Sequence, residues 1–122
     1  MAKFASNEVL DAALAVVAGA NKMLLISGQP ASHATAIAGA LAEAVMTAAD
    51  FSVAPGSGGA RRLTVAAREG LVAQAAGTAD HVALVDTVGQ RLLYVTTCAA
   101  QPLLVGRAVQ VAGWHVEIGA PL

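Results

Sequence analysis

Apolar positions along the chain change period after the first 20 residues, and that change separates a helical opening from a β remainder. Val9, Leu10, Ala13, Leu14 and Val17 fall at i, i+1, i+4, i+5 and i+8, one apolar stripe of a helix over residues 6–19. Ser6 suits the N-cap, Glu8 and Asp11 sit near the positive end of the helix dipole, and Gly19 stops the helix. Lys22 to Ser27 then reads as a short buried strand ended by Gly28-Gln29-Pro30. Residues 31–50 carry no clean period. The Ala-rich run Ala38 to Ala49 favours helix, whereas Val45, Met46 and Thr47 are neutral in a strand. The reading adopted for this stretch is a loop followed by a strand near residues 41–47.

Phe51-Ser52-Val53 begins another strand, and Pro55-Gly56-Ser57-Gly58-Gly59 is a flexible loop. Arg62 to Ala66 alternates with period two, Arg68-Glu69-Gly70 turns the chain, and Leu71 to Gln74 continues it. His81 to Val85 and Arg91 to Thr97 flank Asp86-Thr87-Val88-Gly89-Gln90, a hairpin with a glycine in its loop. A last strand over residues 108–118 places Val109 and Val111 on one face. Trp114, Val116 and Ile118 follow after a one-residue phase shift, which a β-bulge at Gly113 would explain. The expected fold is a single domain over residues 1–122, mainly β: an antiparallel β-sandwich or open barrel with one N-terminal α-helix.

Composition narrows what such a domain does. The chain has 122 residues, 57% hydrophobic and 12% charged, with a net charge of -1. Disorder is excluded by that balance, and no basic excess exists to attract nucleic acid or an anionic membrane. About a quarter of the chain is alanine, which buries little area per residue, and only Phe4, Phe51, Tyr94 and Trp114 supply large rings. A thin core under a nearly neutral surface fits a subunit whose exterior faces other subunits, although GC-rich coding alone also enriches alanine. Trp114 is expected in the core. Lys3 and the apolar stretch ending at Ala18-Gly19-Ala20 imitate a signal peptide, but Asn7, Glu8 and Asp11 interrupt it. No run reaches the roughly 18 apolar residues of a membrane span.

Candidate chemistry is sparse. Gly56-Ser57-Gly58-Gly59 with Arg61-Arg62 superficially resembles a phosphate cradle, but the Lys-Ser/Thr at a helix mouth is missing. Arg61 and Arg62 could instead grip a partner's carboxylates. His33, His81 and His115 lack metal-ligand spacing, and Cys98, the one cysteine, excludes an intrachain disulfide. His115 and Glu117 share a strand face, which is more simply a polar face than a catalytic pair. Cys98 reads as a small buried residue, and Ser27-Gly28 and Ser57-Gly58 lack a nucleophile elbow. The expectation is a protein that is not an enzyme and carries no cofactor or metal.

Five strings carry a likeness: Phe4 to Leu14, Arg62 to Ala67, Gly77 to Asp86, Leu92 to Cys98 and Trp114 to Ile118. Together they resemble a family of short virion structural proteins of tailed bacteriophages, over nearly the whole chain and most weakly over residues 28–60. The resemblance implies a capsid decoration (cement) protein, a homo-oligomer and most simply a trimer, bound to the major capsid protein on the virion surface after synthesis in the host cytoplasm. A tail, connector or fibre-base subunit is the alternative, and a small carbohydrate-binding β module is a third reading, weakened by the scarcity of aromatics. The expected partner contacts are the N-terminal segment, with Ala2, Lys3 and Phe4, and the loop region with Pro55, Gly56, Ser57, Arg61 and Arg62. These are the segments least able to fold on themselves.

Overall fold

The structure is a computed structural model that describes residues 4–119. It is mainly β, and its strands pair antiparallel throughout the described residues. Helix α1 (Asn7–Ala18) leads into β1 (Lys22–Ile26), a short helix α2 (His33–Ala38) and β2 (Ala40–Val45). After these come β3 (Phe51–Pro55), β4 (Arg61–Val65), β5 (Arg68–Val72), β6 (Gly77–Asp86), β7 (Arg91–Leu103), β8 (Ala108–Val111) and β9 (Trp114–Ile118). Three sheets result, ordered β2-β1-β6-β7, β3-β4-β9 and β5-β8.

The largest apolar cluster lies between the sheets, where Met23, Leu25, Val65, Leu71, Val82, Leu84, Leu103 and Val109 are all buried. Alternate residues of the same β1 and β6 strands, Leu24, Ile26, Ala83 and Val85, point the other way and meet Ala36 and Ile37 of α2. These strands are therefore buried on both faces, which explains why Met23-Leu24-Leu25-Ile26 is apolar without alternation. Helix α1 touches β3, β4 and β9 of one sheet and β7 of another. Its Leu14, fully enclosed, seats on Leu63 and Val116. The N-terminal helix thus packs on its own chain.

Four sequence expectations are corrected. Residues 33–38 form a helix rather than a loop, because Ser32 and Thr35 make a reciprocal capping box: the Thr35 amide donates to Ser32 Oγ and the Ser32 amide to Thr35 Oγ1. Arg68-Glu69-Gly70 is part of β5 rather than a turn; one extra residue relative to β8 is absorbed there, with Gly70 at φ 75°. Strands β6 and β7 run well beyond the expected hairpin. A second irregularity sits there, since Ala79 pairs with Gln101 and His81 with Thr97, so that Cys98, Ala99 and Ala100 bulge opposite Asp80 alone.

The fourth correction concerns residues 108–118, which are two strands in two sheets. Strand β8 pairs with β5, β9 pairs with β4, and Ala112-Gly113 carries the chain across. The phase shift read as a bulge is this change of sheet. A Cβ at Gly113 would meet the Val65 carbonyl oxygen at 3.4 Å and the Ala67 nitrogen at 3.5 Å, ordinary contact distances.

Candidate interaction surface and groove

Of the residues expected to touch a partner, Ala2 and Lys3 lie outside the described residues. Phe4 precedes α1 and is 86% exposed. Pro55 ends β3, and Gly56 and Ser57 follow it into the β3–β4 loop. That loop is not free. The Ser57 amide donates to Glu117 Oε1 at 2.9 Å, the Gly56 amide to the Ala60 carbonyl at 2.8 Å, and a Cβ at Gly56 would collide with the Glu117 carboxylate.

Arg61 and Arg62 are likewise occupied within the chain. Arg61 forks onto Asp11 of α1, and Arg62 reaches Glu117 across the β4–β9 pair at 3.3 Å. Each arginine thus already holds a carboxylate of its own chain. Lys22–Glu43, Arg68–Asp50 and Arg91–Asp86 complete five such pairs among the described residues. Glu117 is held below the usual Glu range by the Ser57 amide and by the Arg62 charge. Asp86 is lowered by the Gly89 amide and by Arg91, and Asp80 by His81 and the Gly28 amide. The Cys98 thiol is pushed up by burial and by the nearby Asp80 charge, so it is protonated and a poor nucleophile near neutral pH.

With charges neutralised in pairs, exposed apolar side chains are spread over several elements, Val45, Val53, Val72, Val88 and Val105 among them, and α1 carries two more on one stripe. Leu10 and Leu14 turn inward as the stripe predicts, but Val9 is 62% and Val16 50% exposed, and Ala12 and Ala13 lie outward with them. Placing Val9 and Ala13 on the packed face was therefore wrong. The helix is apolar on both faces, and periodicity cannot choose between two such stripes.

One feature escaped sequence reasoning altogether. An open groove of about 680 Å³ runs between β7 at Thr96 to Gln101 and the β8–β9 crossing at Gln110 to His115, with Leu25 and Val82 of the core as its floor. Both banks are strand edges without a second neighbour among the described residues, where β7 pairs with β6, β8 with β5 and β9 with β4. Trp114 lines it, half-buried, with its ring stacked on Tyr94 at 5.9 Å between centroids. The expectation that Trp114 sits in the core is corrected to this partly open position. Its Nε1, shut off from solvent, meets no acceptor. No local sequence signal marks the groove, because its banks, residues 96–101 and 110–115, come together only in the tertiary fold.

Among the described residues no three His, Cys, Asp or Glu side chains gather in a way that could hold a metal ion, and no helix is long and apolar enough to cross a membrane. His115 and Glu117 are both exposed, with the Glu117 carboxylate engaged by Ser57 and Arg62. Compared with protein-family models, curated proteins and solved structures, the chain matches none.

Proposed function

We propose that this chain is a non-enzymatic virion structural protein of a tailed phage, a decoration protein that binds the major capsid protein as a homo-oligomer, most simply a trimer. The observation that carries the reading is the outward apolar stripe of α1, Val9, Ala12, Ala13 and Val16, on a molecule whose charges are largely paired internally. An exposed stripe of this kind is what a subunit contact consumes, since charge is depleted at interface centres. The likeness of the chain to short phage virion proteins supplies the setting. Attachment through many weak contacts is multiplied by the number of linked subunits, so no single strong site is needed. The exposed Phe4 is the side chain best placed to reach a neighbour beyond the helix.

Mixing the purified protein with emptied shells of its own phage, pelleting them, and imaging the shells by cryo-microscopy tests the proposal. Stoichiometric density on the head is the expected result. Density confined to the tail would replace decoration by a tail or connector role, and absence from virions would remove both.

A further inference from the structure

We infer that the groove between β7 and the β8–β9 crossing is a binding site for a neutral saccharide, with Trp114 as its wall and Gln101 and Gln110 as its polar rim. This goes beyond the structural role proposed above and does not depend on it.

The argument starts from what lines the groove. Its floor is continuous with the main core through Leu25, Val82 and Val111, so a ligand entering it covers apolar surface. Among the described residues no Lys, Arg, Asp or Glu lines it and His115 is its single basic side chain, so its polar lining is mainly amide and hydroxyl. Gln101 and Gln110 stand exposed on opposite banks, one on β7 and one on β8, and each offers a carbonyl acceptor and two N–H donors. Thr96 and Thr97 add hydroxyls that both donate and accept. A ligand matched to that set is uncharged, dense in hydroxyls or amides along its edge and apolar on its face, which describes a pyranose ring.

Trp114 adds an independent observation. One face of its indole is stacked on Tyr94, which fixes the ring, and the partly buried residue lines the groove. A rigid, pre-positioned ring loses little freedom when a sugar settles against it. The volume of about 680 Å³ is ample for one to three sugar units. The bulge at Cys98 to Ala100 lies on the same bank, where β7 departs from regular pairing with β6.

Trp114 is the sole tryptophan, so its emission reads the groove directly. Titration of the intact protein with maltotriose, chitotriose and galactose is expected to give a saturable change for at least one, half-complete near ~1 mM, with glucuronic acid ineffective. Gln101→Ala and Gln110→Ala, both at exposed positions that folding does not need, should each raise that midpoint about three- to tenfold. Trp114→Phe, followed by calorimetry, should keep part of the affinity, because a smaller ring still lines the groove. The inference is overturned if none of the three sugars gives a saturable change at up to roughly a hundred times that midpoint. It is equally overturned if the glutamine variants bind as the parent does. Emission that shifts on dilution without sugar would show that a second copy fills the groove, which also overturns it. None of these outcomes bears on attachment to a capsid shell.

Discussion

Arg61, the first residue of β4, donates from Nε to Asp11 Oδ1 at 2.7 Å and from Nη2 to Oδ2 at 3.2 Å, a two-point clamp between α1 and the sheet beneath it. The arginine side chain is 16% exposed and the aspartate 35%, so the pair is neither open to solvent nor sealed. Asp11 lies one residue past Leu10 and three before Leu14, the two buried contacts of the helix, and so fixes the rotation that they require. The same clamp turns Val9 and Val16 outward.

Breaking the clamp should loosen α1 without unfolding the sheets. Asp11→Asn is expected to cost about 1 kcal/mol, between the value of an exposed ion pair and that of a shielded charge-assisted hydrogen bond. Urea unfolding of Asp11→Asn, Arg61→Lys and the double variant gives the coupling directly. Additive effects would mean that the fork contributes nothing beyond its separate ends.

The Glu117 carboxylate organises the β3–β4 loop, and it makes the stability pH-dependent. Its folded pKa lies below the ordinary 4.5 because the Ser57 amide and the Arg62 charge favour the ionised form. A group lowered on folding stabilises the protein above its unfolded value and loses that contribution as pH falls through the folded one. Asp86 and Asp80, lowered from 3.8, act in the same direction at slightly lower pH. Stability measured by urea at a series of pH values should therefore be level near neutrality and decline below about pH 4.5. Glu117→Gln should flatten the upper part of that decline, and an unchanged profile would show that the loop contact is not populated in solution.

Trp114 stands between core and surface, and its substitution should show it. Trp114→Ala is expected to cost about 2–3 kcal/mol, below the roughly 3–5 of a fully enclosed aromatic, because the ring keeps only its Tyr94 and core contacts. Native emission should be intermediate and partly quenched by acrylamide. A fully blue-shifted, unquenched spectrum would place the ring inside the core after all.

How far these positions were legible in the sequence depends on the range of the interaction that fixes them. The α1 cap at Ser6, the run Met23 to Ile26 and the hairpin turned by Asp86 are local. In that turn the Val88 and Gly89 amides both donate to Asp86 Oδ1 at 3.1 Å, within three residues. All three were readable. Helix α2 was missed because its capping box uses Thr35 where Glu or Gln is the usual sign. In the Ala-rich run, pairing of Ala40 to Val45 with β1 overrode helix propensity. The split of residues 108–118 was hidden because a bulge and a change of sheet shift the apolar phase alike. Arg61 and Arg62 were placed correctly on a strand, but their partners within the chain were not legible, since Asp11 and Glu117 lie 50 and 55 residues away.

The outer stripe of α1 gives the most direct test of assembly. Val9 and Val16 lie seven residues apart, two turns on one face, with Ala12 and Ala13 between them. Burying such a stripe against another subunit gains about 25 cal/mol per Å² of apolar surface, and a charge placed at its C-terminal end opposes that contact while leaving Leu10 and Leu14 seated. The parent protein is expected to run as a homo-oligomer, most simply a trimer, by light scattering at micromolar concentration. Val16→Lys should shift it to monomer, and circular dichroism and the urea midpoint of the monomer should show the fold retained. A parent that is already monomeric at these concentrations would remove the oligomer. A Val16→Lys protein that stays assembled would move the contact away from α1, towards the free edges of β7 or β9.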